Sequence, residues 1–356
     1  MNKRKIVVKS KKENTYPHNI EEYDHYLALD WSMKNMSVAR LTKKMITPKV
    51  IDVPSNMRDL KDYLKTLKGK KILTIEETTT SQWLFLELYE QIDKILVCDP
   101  HRNQLLSEGP KTDKIDAGRL CLLLRNGMMK EVYHTTSSLH HLRLLVSRYE
   151  DVIKSGVILI NQKSAIYPAE NKSHKKDKIV SQNKTQKFVL SGLEEEINAY
   201  ETRKEIFKKE FEKIRSKNKT LKDLSTIPGI GLVSSIMILS SVIDAKRFKS
   251  PNHYLSYCGL VKHDKLSRGR SYGKRTPRYS RRLKSVYRSA TVRCLQYDNP
   301  VKEYYEYLIR EKYISNKKAR NLVARYVAKI SLAVIREGKK YKGYQPKGNN
   351  LKDKAA

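Results

Sequence analysis

Acidic side chains stand at the ends of separate predicted elements, in a pattern suited to binding metal ions. Asp30 closes the apolar segment HYLALDWS, and the Glu76-Glu77 pair closes KILTIEE. Asp113 and Asp116 follow in KTDKIDAGRL, which has the pattern of a helix start. Residues three apart share a helix face, so these two acids point the same way. Two strand ends and one helix start can therefore bring four carboxylates to one place.

Carboxylate oxygens gathered in this way favour Mg²⁺ or Mn²⁺ as the bound ion. Paired divalent ions stabilise the attacking and leaving oxygens when a phosphodiester is displaced. A single Asp at a strand end is usually a cap, but a whole set in this order is not. The acids therefore predict metal-dependent phosphoryl transfer on a nucleic acid.

The charge of the chain indicates the same substrate independently. Its 356 residues include 73 Lys and Arg against 38 Asp and Glu, which gives a formal net charge of +35. Such a charge attracts polyanions, and the binding should weaken steeply as salt is added. Lys-rich composition can also reflect coding bias, so the clustering of the charges matters more than their sum.

The densest basic cluster is KHDKLSRGRSYGKRTPRYSRRLK, residues 262–284, with ten Lys or Arg and one acid, Asp264. Its glycines, with Tyr272 and Tyr279, predict a flexible loop that holds a nucleic-acid backbone and stacks on bases. A solvated charged surface is the alternative. The residues predicted to contact phosphates are Arg268, Arg270, Lys274, Arg275, Arg278, Arg281 and Arg282.

Neither the cysteines nor the apolar segments indicate an exported or membrane protein. The four cysteines, Cys98, Cys121, Cys258 and Cys294, have no spacing typical of zinc sites and are expected to be reduced and buried. The N-terminus lacks the apolar stretch of a signal peptide, and no later segment has the length of a membrane span. We expect a soluble cytoplasmic protein that associates with the nucleoid when active.

The pattern of residues 23–135 predicts an α/β domain of the RNase H-like (RuvC-like) fold. Three alternating segments, YLALDWS, SVARLTK and KVIDVP, predict an antiparallel meander. Helix and strand patterns then alternate up to IDAGRLCLLLRNG, a helix that should end at Gly127. Residues 1–22 before this domain are expected to be a disordered basic arm.

The remainder of the chain is predicted to be mostly helical. Residues 136–220 show apolar residues every three or four positions, which predicts two antiparallel helices in a coiled-coil arm with a charged tip. A third domain spans 221–342, and 343–356 is a basic tail. Its turn Pro228-Gly229-Ile230-Gly231 resembles a helix-hairpin-helix, whose glycines let backbone N–H groups approach a phosphate. A plain helix connector is an equally good interpretation.

The combined motifs resemble the transposases of the insertion-sequence 110 family over roughly residues 24–340. They are Asp30 after an apolar strand, a Glu before T-T-x-x-x-W, KTDKIDA, and the series IPGIG, RFKSPNHYLSYCGLV and SRG. The resemblance implies a RuvC-like domain with a DEDD acid set and a C-terminal transposase domain with an essential serine. It also implies a structured guide RNA, the bridge RNA, that pairs with donor and target DNA, and a homodimer or tetramer.

Carried over by position, the resemblance assigns Asp30, Asp113 and Asp116 to the acid set. The second acid has two candidates. An ungapped match to the family's Glu-x-Thr-x-x-x-Trp gives Glu77, whereas the position directly after the apolar strand residue Ile75 gives Glu76. The match slightly favours Glu77 as the metal ligand.

Ser267 occupies the place of the family's serine, although Arg268 separates it from Gly269, so Ser271 remains a weaker candidate. The expected reaction forms a phosphoserine link that preserves the energy of the cut bond for rejoining. For this reaction the metal-binding acids of the first domain and the serine of the third would come together in a nucleic-acid-bound oligomer.

Two other classes of function fit part of the pattern. A RuvC-like nuclease or junction resolvase would use the same acids with water as the nucleophile, and it would leave no protein–DNA adduct. A non-catalytic RNA- or DNA-binding protein would use the acids only as helix caps. The presence of all the acids together with the serine favours the recombinase.

Overall fold

The structure is a computed structural model that describes residues 22–100, 112–169 and 183–342. The chain divides into two compact units, residues 1–136 and 137–356. Three predicted segments lie outside the described residues: the basic arm except for Glu22, most of the charged tip between the two long helices, and the basic tail.

The first unit contains a five-stranded sheet in the order β3-β2-β1-β4-β5. Strand β2 runs antiparallel to β1 and β3, whereas β1, β4 and β5 are mutually parallel. The predicted meander is therefore present, followed by parallel strands joined through helices. The strands are β1 (His25–Trp31), β2 (Asn35–Thr42), β3 (Lys49–Pro54), β4 (Lys71–Glu76) and β5 (Lys94–Cys98).

Helices cover both faces of this sheet, because the strands are apolar on both sides. Helices α1 (Met57–Thr66) and α2 (Ser81–Leu88) bury Leu64 and Leu84 against one face. Helix α3 (Asp113–Arg125) packs on the other face. The alternation along β1 follows these layers: Leu27 and Leu29 point towards α1 and α2, and Tyr26 and Ala28 point towards α3.

The second unit is mostly helical and has one large apolar core. Its α-helices are α4 (His141–Ala169), α5 (Lys184–Lys217), α6 (Lys219–Leu224), α7 (Leu232–Val242), α8 (Pro251–Tyr257), α9 (Arg281–Cys294), α10 (Pro300–Arg310) and α11 (Asn316–Glu337). Short 3₁₀ turns cover Ser138–His140 and Ala245–Arg247. A two-stranded sheet pairs β6 (His263–Ser267) with β7 (Arg270–Arg275).

The two long helices α4 and α5 lie antiparallel, as their amphipathic patterns predict. Near one end, the rings of Tyr149 and Phe211 pack edge to face with centroids 5.2 Å apart. Further along the pair, Lys163 Nζ lies 2.7 Å from Glu194 Oε1. From the first contact to the second, the residue number rises in α4 and falls in α5, so the two helices run in opposite directions.

The turn between α6 and α7 uses Gly229 for packing. Its φ is +77°, and a Cβ there would lie 2.3 Å from the carbonyl oxygen of Ala290 in α9. Its N–H donates to the hydroxyl of Tyr297 at 2.9 Å. Since this N–H is already bonded, the structure favours the interpretation of the turn as a helix connector over a phosphate cradle.

Replacing Gly229 by Ala should destabilise the second unit by about 2–4 kcal/mol, from the left-handed backbone and the clash with α9 together. Gly231→Ala is the matched control, because no atom lies within 4 Å of the position of its Cβ. Urea unfolding followed by circular dichroism measures both variants. Equal stabilities would contradict this account of the turn.

Candidate active site and nucleic-acid interface

Asp30 and Glu76 lie side by side at the carboxyl ends of two neighbouring parallel strands. Leu29 of β1 pairs in register with Ile75 of β4, so the next residue in each strand is an acid. The carboxyl ends of parallel strands meet at one edge of a sheet, where binding sites commonly form. The sequence alone predicted both acids at strand ends, and the register places them next to each other.

Helix α3 brings the other two acids towards the same edge. Thr112 is its N-cap, and the Thr112 side chain accepts a hydrogen bond from the N–H of Ile115 at 3.3 Å. The cap fixes the helix start at Asp113, so Asp113 and Asp116 both fall in the first turn. Helix α3 packs on β2 and on β1, the strand that carries Asp30 near its end.

The structure favours Glu76 over Glu77 as the fourth acid. In β4, Leu73 and Ile75 point towards α1 and α2, whereas Ile72 points towards α3. By this alternation Glu76 lies on the α3 face, the face that Asp30 also shares. Glu77 has the opposite parity, and its N–H continues the pairing to the Cys98 carbonyl at 2.9 Å. The strand geometry therefore favours Glu76, whereas the motif match slightly favours Glu77.

The charges of the neighbouring acids act on Asp30 and Glu76. Burial and then the charges of Asp113, Glu76 and Asp116 raise the pKa of Asp30 from 3.8 to about 6. Burial and then the charge of Asp116 also raise the pKa of Glu76. Mutual repulsion of this kind is relieved when a cation binds.

Carboxylate oxygens are the ligands that a hard divalent cation such as Mg²⁺ prefers. Among the described residues, no three His, Cys, Asp or Glu side chains are grouped closely enough to hold a metal ion alone. Mg²⁺ is usually held by one or two carboxylates together with waters and substrate phosphates, so a complete protein cage is not required. The residues that would hold it are Asp30, Glu76, Asp113 and Asp116.

The raised pKa of Asp30 predicts a pH-dependent stability of the metal-free protein. Between about pH 4 and pH 6 the folded state holds a proton on Asp30 that the unfolded state has lost, so stability falls as pH rises through this window. Above pH 6, Asp30→Asn should therefore be more stable than wild type by on the order of 1 kcal/mol, allowing for solvent screening.

Thermal unfolding in EDTA from pH 4 to pH 8 measures this difference, expected to reach about 2–4 °C. Adding Mg²⁺ at pH 8 should raise the melting temperature of wild type more than that of Asp30→Asn. A difference between the two proteins that stays constant with pH would contradict the electrostatic origin of the effect.

Two tryptophans at the same end of the sheet were not assigned a role from the sequence. Trp31, directly after Asp30, packs edge to face against Trp83 of α2, with ring centroids 5.4 Å apart. Trp83 is 43% exposed, which leaves one indole surface open. Exposed aromatic faces stack on bases. The feature of the sequence that could have indicated a role is that each Trp lies close to a predicted acid.

Ser267 lies in a β-ribbon formed by β6 and β7, where the sequence predicted a flexible loop. The residues from His263 to Arg275 pair in antiparallel register, with an irregularity at Lys265/Leu266. Arg268 and Gly269 both have positive φ, 49° and 77°, so a two-residue turn closes the ribbon. Ser267 stands directly before this turn, and its side chain is exposed.

Every residue of both ribbon strands is exposed, including Leu266 and Tyr272. An isolated hairpin is only marginally stable in water, so a ribbon exposed on both faces suits binding to a partner. Most of the predicted phosphate contacts are exposed on the ribbon or just after it. They are Arg268, Arg270, Lys274, Arg275, Arg278 and Arg281.

Arg282 was predicted to bind phosphate, but in the structure its side chain is paired within the protein. Its guanidinium donates two hydrogen bonds to the carboxylate of Glu150 in α4, at 2.9 Å from Nε and 2.6 Å from Nη2. Both side chains are about three quarters buried. A paired and largely buried guanidinium has its hydrogen bonds satisfied within the protein, so Arg282 joins α9 to α4.

Elsewhere the described cysteines agree with the prediction: all four are buried and free of disulfides. No helix in the described ranges combines the length and apolar character needed to cross a membrane.

Both units match known transposase families. Residues 27–166 match a family model described as a transposase and named for the DEDD domain of IS110 elements. The α/β unit, in which the acids follow the strands, is therefore that of a transposase-class protein. Residues 221–306 match the model described as the transposase IS116/IS110/IS902 family. The chain belongs to the IS110 family of transposases.

A curated relative supports the same family. The chain is 28% identical over 129 residues to the "Insertion element IS110 uncharacterized 43.6 kDa protein" of Streptomyces coelicolor. The match covers 36% of this chain and 32% of that relative, so it spans about a third of the relative's own length.

Proposed function

We propose that this protein is a DNA transposase that cuts and rejoins strands by metal-dependent phosphoryl transfer. The observation that carries the proposal is the side-by-side placement of Asp30 and Glu76 at the ends of paired parallel strands. Burial and the charges of neighbouring acids, Asp113 and Asp116 among them, raise the pKa of both carboxyls. The strand order, with β2 antiparallel to its neighbours, supports an RNase H-like fold for residues 23–135. Enzymes of many functions share folds, so the acids carry the argument.

The nucleophile that we propose is the hydroxyl of Ser267. Its Oγ attacks the phosphorus of a DNA phosphodiester, so a P–Oγ bond forms and the P–O bond to the departing nucleotide breaks. The serine loses its proton, and the departing oxygen gains one. Reversal by a hydroxyl of another strand rejoins the DNA without an external energy source.

In this proposal the four acids would position a divalent cation at the reacting phosphate. A divalent cation, when bound, supplies positive charge for the negative charge that develops on the phosphate oxygens. The carboxylates of Asp30 and Glu76 fix the position of that charge, since both project from the ends of rigid strands. Asp113 and Asp116 approach it from the capped start of α3.

The exposed ribbon holds DNA by its backbone in this proposal. Arg268, Arg270, Lys274 and Arg275 neutralise phosphates, which raises affinity more than sequence selectivity. Sequence selectivity comes from a structured guide RNA that pairs with donor and target DNA, an assignment that rests on the family resemblance alone.

The remaining assignments follow from the same function. Residues 136–220 form a coiled-coil arm, and residues 221–342 form the transposase domain that carries the serine. A homodimer or tetramer supplies enough nucleophiles to cut and exchange several strands. The protein acts in the cytoplasm, on the nucleoid.

The test is to incubate the full chain, RNA transcribed from the flanking element and end-labelled DNA with Mg²⁺, and to separate the products under denaturing conditions. A labelled protein–DNA adduct that requires Mg²⁺ supports the proposal. Metal-dependent cleavage with free DNA ends and no adduct would instead identify a nuclease that uses water.

A further inference from the structure

A cleft of about 450 Å³ opens between α9 and α11 in the second unit, and no ribbon residue lines it. Arg288, Thr291 and Val292 line it from α9, and Asn316, Lys317 and Arg320 line it from α11. The three cationic side chains are exposed, whereas Thr291 is 2% exposed and forms part of the floor. The cleft thus has a short apolar floor surrounded by positive charge.

The three cations are not neutralised by the protein. Within the described part of the chain, neither Arg288, Lys317 nor Arg320 forms an ion pair or a side-chain hydrogen bond. Two carboxylates on and beside α10, those of Asp298 and Glu306, are engaged with basic side chains of α10 itself. Asp298 lies 2.6 Å from Lys302, and Glu306 lies 3.5 Å from Arg310.

The two helices themselves supply almost no acid near the cleft. Helix α9 contains no Asp or Glu, and in α11 the one acid is Glu337 at the far end. Unpaired cations grouped without carboxylates create a positive potential that favours a polyanion. A protein that needed these side chains only for stability would be expected to pair them, as it pairs Arg282 with Glu150.

The positive surface continues along α9 towards the ribbon. Arg281 and Arg288 are seven residues apart, so they lie on the same side of the helix, about 10 Å apart along its axis. That distance corresponds to about three base-pair steps of a DNA duplex. Helix α9 begins six residues after β7 ends, so its basic side follows the ribbon closely along the chain.

We infer that the α9–α11 cleft and the Arg281 side of α9 bind the sugar-phosphate backbone of DNA, as a second anchoring site beyond the ribbon. The inference rests on the proposed function, because membership of a transposase family makes DNA the expected polyanion. The cations contact phosphates, and the side chain of Val292, which is 51% exposed, meets deoxyribose. Such a site positions DNA without reading its sequence.

The test compares two triple variants of the full chain that lose the same charge. One is Arg288→Gln with Lys317→Gln and Arg320→Gln. The control is Lys246→Gln with Lys249→Gln and Lys329→Gln, exposed lysines of the same unit outside the cleft lining. Both are made in a Ser267→Ala background and measured in EDTA. Binding to a labelled DNA duplex of about 30 base pairs is followed by fluorescence anisotropy at several salt concentrations.

The cleft variant should bind DNA at least about 10-fold more weakly at about 0.15 M salt, with a salt dependence shallower by about 2–3 units of slope. The control should change affinity by less than about threefold. The charge-preserving variant Arg288→Lys with Lys317→Arg and Arg320→Lys should retain most of the binding, which separates charge from folding. Equal losses in the cleft and control variants would overturn the inference.

An effect confined to RNA of the same length, with DNA binding unchanged, would also overturn the assignment of DNA to this cleft. The assay contains neither Mg²⁺ nor the serine nucleophile, so its result does not depend on any cleavage chemistry. If the cleft result is negative while the adduct forms in wild type, the second anchoring site fails and the proposed function stands. If the adduct is absent while the cleft variant loses DNA affinity, the proposed function fails and the second anchoring site stands.

Discussion

Ser267→Ala should abolish the covalent protein–DNA adduct, with a loss of at least about 10³-fold in the rate of strand cleavage. Replacing the attacking oxygen of a covalent mechanism removes the first chemical step, and losses of this size or larger are typical of nucleophile variants. Because Ser267 is exposed in the ribbon, the substitution should leave folding unchanged. Quantified adduct and cleavage products on denaturing gels measure the effect.

Ser271→Ala is the matched control for this experiment. Ser271 lies in the same ribbon, is equally exposed and pairs with Leu266 directly beside Ser267. It should retain adduct formation to within about threefold. Loss of the adduct in Ser271→Ala, with retention in Ser267→Ala, would transfer the nucleophile to Ser271.

Glu76→Gln and Glu77→Gln should differ strongly although the two residues are neighbours. Glu76→Gln removes a charge from the acid cluster and should slow Mg²⁺-dependent cleavage by about 10²–10³-fold, the scale of lost electrostatic stabilisation. Glu77→Gln should stay within about threefold of wild type, because Glu77 lies outside the face shared by Asp30 and α3. Cleavage rates across a Mg²⁺ titration measure both variants.

The Mg²⁺ titration also separates a ligand role from a structural one. If Glu76 holds the cation, Glu76→Gln should need a higher Mg²⁺ concentration for half-maximal rate, while its melting temperature in EDTA stays equal to wild type or rises. A large rate loss in Glu77→Gln with a small one in Glu76→Gln would restore the choice favoured by the motif match.

The sheet was predictable from the sequence because its signals are local. Alternating apolar residues in the meander, and the apolar run of KILTIE, identify the strands without knowledge of their partners. The long helices α4 and α5 follow from their amphipathic spacing, and Asn183 and Asn218 cap the ends of α5. Each of these elements is determined by residues within its own segment.

The choice between Glu76 and Glu77 needed the packing of the strand. A motif match compares spacing along the chain, whereas the side of the sheet on which an acid lies depends on which neighbours are buried with it. In β4 the burial of Ile75 against α1 and α2 decides the parity of the following residue. A shift of one residue along a strand moves a side chain to the opposite face of the sheet. Two adjacent acids that match a motif almost equally well therefore lie on different faces.

The ribbon and Arg282 show a different limit. Residues 262–284 have the composition of a solvated loop, yet positive φ at Arg268 and Gly269 closes a regular two-residue turn. Arg282 looks like its basic neighbours in the sequence, but its partner Glu150 lies 132 residues earlier. Pairings across such a separation depend on the folded helices and leave no local signal.

The central claim is that a serine of the ribbon becomes covalently joined to DNA. The most direct measurement is to trap the adduct formed with Mg²⁺, digest its DNA with nuclease and its protein with protease, and locate the remaining nucleotide by mass spectrometry. The account predicts a nucleotide joined through phosphate to the peptide that contains Ser267, with fragment ions that place it on that serine. A nucleotide on a different residue, or cleaved DNA with no modified peptide, would contradict it.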